Sequence, residues 1–184
     1  MAEGPLVKGV WFVTARRHLI EAYGASTLHA VARAMKEEHR PVLLEPMASE
    51  WYPEDVFQDA IDAVMFQVAQ KDSRVFSEFM EGATVLGVNT FFRILLRVTS
   101  PAFLMRQMPT LSRQYRRNDW ECAVDAQDHA ATLEWRGCPY LADRTYRLFM
   151  VAVIVKSTEL CTKRRPTVEV VGHGRDWIKL KVLY

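Results

Sequence analysis

Cysteine is scarce in this chain, and the three present, Cys122, Cys138 and Cys161, are an odd number with no CxxC spacing. That usage argues against a disulfide framework and against a zinc finger, and it fits a reducing, cytoplasmic setting. Long apolar runs are missing as well. The longest, Leu148 to Val155, falls far short of the roughly 20 residues that cross a bilayer and reads as a buried helix or strand. Met1 to Lys8 holds Glu3, Gly4 and Pro5 without a basic start, an apolar stretch or a small-residue cleavage site, so no export is expected. Neither sign of charge dominates. With 24 basic and 22 acidic residues the formal charge is +2, which exerts no global pull toward nucleic acid or anionic membrane. Repeats, low-complexity tracts and interdomain linkers are absent.

What is present suffices for a sizeable core: 49% of the 184 residues are hydrophobic, the usual range for one globular domain spanning 1–184. From Thr14 to Glu38 two helical stretches are separated by Gly24, with Ser26 as a cap for the second. Pro53, Glu54 and Asp55 have the composition of a helix start, the acids complementing the positive end of the helix dipole. Val56, Phe57, Ala60, Val64 and Val68 then follow a helical period. Ser73 and Ser100 are candidate caps for two further helices, the second with Pro101 at its first position and Phe103, Leu104, Met108 and Leu111 facing inward. Residues 1–117 therefore read as mainly helical.

Beyond Asn118 the period changes. Trp120, Cys122 and Val124 alternate with polar or small neighbours, as do Ala131, Leu133 and Trp135 after the polar turn Gln127 to His129, which predicts a β-hairpin. Tyr140 to Lys163 returns to helix. Thr167 to Val171 and Trp177 to Leu183 predict a second hairpin, with Ile178, Leu180 and Val182 inward and Lys179 and Lys181 toward water. The order predicts an α+β fold: an N-terminal helical block, then an antiparallel sheet of two hairpins flanking one long helix over 118–184, with helices packed on one face.

Catalytic signals are weak. No Gly-x-Ser-x-Gly elbow occurs, and no Ser or Cys sits in a recognisable nucleophile motif. Asp59 and Asp62 share a helix face but read as solvated charges. Asp125, Asp128 and His129 sit at a turn, where aspartate commonly bonds its own backbone. Gly172-His173-Gly174 lacks the following helix that a phosphate loop requires. Arg113, Arg116 and Arg117, with Lys163, Arg164 and Arg165, form two local basic clusters, too few and without a binding motif to make nucleic acid the expected partner.

Val7-Lys8-Gly9-Val10, the helical region after Trp51-Tyr52-Pro53-Glu54, the segment Phe103-Leu104-Met105-Arg106-Gln107-Met108-Pro109-Thr110-Leu111 and the closing hairpin together resemble a superfamily. It comprises haem-based nitric-oxide/oxygen-binding domains, vinyl-reductase-type small-ligand domains and a myxobacterial paralogous family of uncharacterised proteins of about this length, to which the chain is most similar. The resemblance implies the same helix-plus-sheet fold and a space between helices and sheet that relatives use for small, mostly apolar molecules. It places Ser112 where the haem domains carry their iron-ligating histidine, and a serine hydroxyl is a poor substitute. Where those domains carry Tyr-x-Ser-x-Arg for the haem propionates, this chain has Trp135-Arg136-Gly137-Cys138-Pro139. Vinyl-reductase-type domains often carry two cysteines around a Gly-Asp turn of the last hairpin, where Val170 and Ile178 flank Gly174-Arg175-Asp176. No haem, metal or other cofactor is therefore expected.

The candidate pocket comprises Phe91, Phe92, Leu95, Met105, Met108, Leu111, Ser112, Tyr115, Trp135 and Phe149. Apart from Ser112, each is also an ordinary core residue by type, and methionine suits both roles. The leading expectation is a non-enzymatic sensory or regulatory module for a small apolar ligand. The alternative is an interaction or adaptor module in signalling, acting as a homodimer or on a partner protein, with Trp11, Phe12, Trp51 and Tyr52 as its sticky patch.

Overall fold

A computed structural model describes residues 4–87, 99–118 and 120–184. The chain begins with β1 (Leu6–Lys8) and α1 (Val10–His18), which runs into a π-helical turn at Leu19–Tyr23. The turn stops at Gly24, whose φ of 85° and ψ of 160° suit only glycine. Gly24 is itself the cap of α2 (Ala25–Ala34), and Ser26 lies inside the first turn of that helix. α3 (Arg40–Leu44) and β2 (Trp51–Pro53) follow.

Pro53 caps α4 (Glu54–Gln67), whose Val56, Phe57, Ala60 and Val64 are buried as their spacing predicts. α5 (Ser73–Gly87) is capped not by Ser73 but by the preceding acid. The Asp72 carboxylate accepts hydrogen bonds from the Arg74 and Val75 amides at 2.7 and 3.4 Å. α6 (Pro101–Tyr115) starts as expected, with Ser100 Oγ accepting from the Phe103 amide at 3.2 Å. Leu104 and Met108 face the core together with Met105. Phe103 is 49% exposed, because it lies on the far side of the stripe that Leu104, Met105 and Met108 bury.

The second half matches the alternation read from the sequence. β4 (Glu121–Ala126) and β5 (Ala130–Arg136) form one hairpin, β6 (Thr167–His173) and β7 (Trp177–Leu183) the other. They make one antiparallel sheet in the order β4-β5-β7-β6. Leu133 pairs with Leu180 and Trp135 with Ile178, so the inward residues of two neighbouring strands stack into one apolar layer. Between the hairpins α7 (Arg144–Thr162) starts four residues later than Tyr140, because Pro139–Ala142 forms a 3₁₀ turn and the Asp143 carboxylate accepts from the Thr145 and Tyr146 amides. Helices α6 and α7 pack on this sheet, and α5 packs on α7 and α1.

A second, small sheet lay outside the sequence reading. β1 pairs antiparallel with β2 and with β3 (Arg116–Arg117), in the order β2-β1-β3. Its strands have two or three residues, too short to show a period. Its effect on the site is large: β1 draws the end of α6 beside the start of α4, and Arg116 thereby meets Glu54.

Candidate functional site

Between the helices and the larger sheet lies a cavity of about 130 Å³. Its walls are Val10, Trp11 and Thr14 of α1, Thr84 and Gly87 of α5, Met108, Leu111, Ser112 and Tyr115 of α6, and Trp135 of β5. α7 supplies Phe149, Met150, Val153, Ile154 and Ser157, and Arg116 and Trp120 complete it. The lining is mostly apolar and aromatic, as small-molecule sites usually are. An apolar cavity of about 150 Å³ is large enough for benzene, and this one is of comparable size.

Most polar groups on the walls are satisfied within the chain. The Thr14 and Thr84 hydroxyls donate to the Trp11 and Met80 carbonyls of their own helices, and Trp135 Nε1 donates to Ser112 Oγ at 3.3 Å. The indole nitrogens of Trp11 and Trp120 are buried without a hydrogen-bond partner among the described residues.

Behind this wall sits a buried charge pair. Arg116 Nε lies 3.2 Å from Glu54 Oε1, with the two side chains 6% and 0% exposed. Tyr146 donates its hydroxyl to the same carboxylate oxygen, and Arg116 also donates to the Tyr115 carbonyl. The guanidinium is enclosed by rings: its Cζ is 4.9 Å from the centroid of Phe57, 5.6 Å from Trp11 and 5.7 Å from both Trp120 and Phe149. Burial raises the Glu54 pKa above the usual carboxylate range, while the Arg116 charge and the Tyr146 hydroxyl oppose that rise. Burial is the largest single influence on Arg116 and would lower it, but the Glu54 charge, Tyr146 and Cys138 together outweigh it and the guanidinium pKa is raised. Burial also pushes the Cys122 and Cys138 thiols up to about 12 and raises Tyr115, so all three hold their protons. Among the described residues no cluster of His, Cys, Asp and Glu is arranged to hold a metal ion.

No protein-family model matches the chain, and no curated protein does. Solved structures do match. The Fe(II) unliganded H-NOX protein from K. algicida superimposes with a TM-score of 0.67 at 10% identity, covering 96% of this chain and 95% of that one. A mutant H-NOX of T. tengcongensis gives 0.64 at 15% identity, covering 96% of both chains. A structure that probes haem distortion in the H-NOX family gives 0.63 at 14% identity, over 96% and 94%. This is the H-NOX fold.

At such identities the likeness concerns architecture, and it agrees with the helix-plus-sheet fold expected from the sequence. Within the H-NOX fold of this chain, Met108, Leu111, Ser112, Tyr115, Trp135 and Phe149 come together on the cavity wall. Met105 is fully buried but does not line it. Phe91, Phe92 and Leu95 lie outside the described residues. The sequence reading missed Arg116 and Trp120 on the wall, and it assigned Trp11 to the surface. Phe12 is core, 1% exposed, with its ring edge-on to Tyr52 and Phe57, which removes it from any surface patch.

Three members of the basic clusters have partners within the chain, while Arg113, Lys163 and Arg164 are exposed. Arg116 is buried, Arg117 stacks 4.0 Å over Trp51, and Arg165 makes a two-pronged pair with Glu81 at 2.7 and 2.9 Å. Asp59 and Asp62 do not pair with each other: Asp59 binds His39 Nδ1 at 2.8 Å and Asp62 accepts from Gln58. No helix among the described residues is long and apolar enough to cross a membrane.

Proposed function

We propose that this chain is a single-domain, non-enzymatic sensory or regulatory module of the myxobacterial branch, in a reducing cytoplasm, that binds one small apolar molecule without haem. The observation that carries the reading is the 130 Å³ apolar cavity lined by six elements of the fold, with α7 supplying one wall. An occupant touches Phe149, Met150, Val153 and Ile154 directly, so its binding energy biases how α7 packs on the sheet and on α5.

Three observations support a haem-free site. No His or Cys is among the described lining residues, and Tyr115 is held as a neutral phenol, a weak ligand for iron. Among the described lining residues the cationic side chain is Arg116, which is already paired with Glu54 and so has no charge to spare for a propionate. The volume suits one small ring rather than a macrocycle.

The test is titration of the purified protein with benzene, toluene and ethylbenzene, followed by thermal denaturation and by the indole resonances of Trp11, Trp120 and Trp135. At a hundred times its dissociation constant a ligand adds about 2.7 kcal/mol of stability. Val153→Phe, which fills the cavity, is expected to abolish the effect. An unchanged melting temperature with all three probes up to their solubility limits overturns the reading.

A second reading, a homodimer or a partner-binding adaptor, is favoured by one observation. Val170 and Val171 are 43% and 52% exposed on β6, the edge strand of the larger sheet, and open edges invite pairing. Sedimentation over a rising protein concentration tests it: a dimer mass supports an edge contact, and a monomer throughout removes the homodimer.

A further inference from the structure

α1 packs on α5 across two glycines, and both contacts bear on the cavity. At Gly87 a Cβ would stand 3.4 Å from the Thr14 methyl, and Gly87 and Thr14 both line the cavity. One turn further along α1, a Cβ at Gly82 would run into the imidazole of His18. The ring takes the space that a side chain on α5 would fill, so it sets how closely the two helices approach. Thr14 and His18 are four residues apart and share one face of α1. The seat of the His18 ring and the Thr14 wall are therefore two points of one helix contact.

The seat suits an uncharged ring. His18 is half-buried, 5.0 Å from Phe79 and 6.0 Å from Tyr23 between ring centroids. Phe79 and Gly82 offer a charged imidazole no acceptor side chain. Burial lowers the His18 pKa, and the Glu21 charge opposes that shift without reversing it. The charged groups in the adjoining turns of α1, the π-helical turn and α5 are paired: Arg17 with Glu21 at 2.7 Å, Glu78 with Arg74 at 3.0 Å and Glu81 with Arg165 at 2.7 Å. At neutral pH the seated ring is uncharged, and a proton makes its seat unfavourable.

We infer that the His18–Gly82 contact is a pH-sensitive latch on the cavity. Protonated His18 leaves Gly82, α1 and α5 part at that end, and the wall formed by Thr14, Thr84 and Gly87 loosens, so the ligand is held less tightly in acid. The inference rests on the ligand-binding reading and adds proton control to it. By linkage the bound ligand in turn holds the proton off His18. The same sign governs stability: the His18 contribution is fully present above the unfolded pKa and is lost as pH falls through that value toward the folded one.

Benzene titrated into the intact protein at about pH 7.5 and about pH 5.5, either side of the ordinary histidine value of about 6.5, tests the latch. The expected result is severalfold weaker binding at the lower pH. His18→Phe keeps a ring on Gly82 without a titrating nitrogen and should bind equally at both. Gly82→Ala displaces the neutral ring and should weaken binding at neutral pH toward the parent's value in acid. Where a variant fails to fold, the wild-type spectrum decides: the His18 ring should titrate below about 6.5, and the Trp11 indole resonance, on the same helix, should move with the same midpoint. Affinity equal at both pH values, or a pH dependence that His18→Phe retains, overturns the inference and leaves the ligand-binding reading intact. If benzene binds at neither pH, that reading fails by itself. The Trp11 resonance then judges the latch: movement with His18 protonation supports it, and indifference overturns it.

Discussion

Arg116→Met is expected to destabilise the fold by about 3–5 kcal/mol, the usual cost of leaving one member of a buried ion pair behind. Glu54 has a side chain with no exposure, and Arg116 is the opposite charge beside it. Without the guanidinium, its carboxylate must either stay charged in an apolar surround or take up a proton. For a domain of this size the loss corresponds to a fall in melting temperature of roughly 6–20 °C. The pH dependence has a definite sign. Burial already raises the Glu54 pKa, and removing Arg116 removes the largest opposing influence, so the folded-state value rises further above the unfolded one. Stability from the bound proton is then fully present below the unfolded pKa and is lost as pH rises through the folded pKa. The deficit of the variant relative to the parent should therefore be largest at neutral pH and should narrow on acidification, as measured by urea unfolding at several pH values. Glu54→Leu with Arg116→Met should recover part of the loss, because it removes both charges. Recovery stays incomplete, since the Tyr146 hydroxyl loses its acceptor. A deficit that is independent of pH, or a double variant no more stable than Arg116→Met alone, would contradict this account.

Phe149→Ala carries the second large effect. Phe149 is 2% exposed and meets Phe57 at 4.9 Å, Trp11 at 5.3 Å and Tyr146 at 5.7 Å between ring centroids. Truncating a buried phenylalanine costs about 3–5 kcal/mol, the upper part of the range applying where the surroundings cannot collapse. Here rings from α1, α4 and α7 surround it, and the space it leaves joins the existing cavity. Benzene should therefore stabilise the variant more than the parent. At a hundredfold excess over its dissociation constant it restores about 2.7 kcal/mol, more than half of the smallest expected loss. Denaturant unfolding with and without benzene measures both numbers. A loss below about 1 kcal/mol would place Phe149 outside the tightly packed core, contrary to its ring contacts.

Legibility in the sequence followed the range of each interaction. The starts of α4 and α6 could be read because a proline and a capping residue act within one turn, and Ser100 does what its type suggests. The two hairpins could be read because six or seven alternating residues carry a period. Ser73 was misread because Asp72, its neighbour, is an equally good cap, and adjacency cannot rank the two. β1, β2 and β3 were invisible because two or three residues have no period. That omission hid the site: without β1 as the bridge, Glu54 reads as a dipole complement and Arg116 as one member of a basic cluster. Trp11 looked like a surface anchor because it lies near the end of a segment. Only the packing of α1 against α5 and the rings of Tyr115 and Phe149 turns it inward. The methionine and leucine candidates of α6 were legible from helical spacing, whereas the unmet donors of the wall were not, since an unpaired N–H is a property of the assembled neighbours.

The walls of the cavity come from chain positions as far apart as Val10 and Ser157, and this dispersal has a kinetic consequence. Contacts between distant positions carry the loop-closure entropy of the intervening chain and are slow to form. An enclosure that needs α1, α5, α6, β3, β5 and α7 together is complete only after most of the native contacts exist. A molecule that fits it has nothing to grip in the earlier, partly ordered chain. Its binding energy therefore acts on the native side of the main barrier, leaving the rate of folding nearly unchanged and lengthening the lifetime of the folded state.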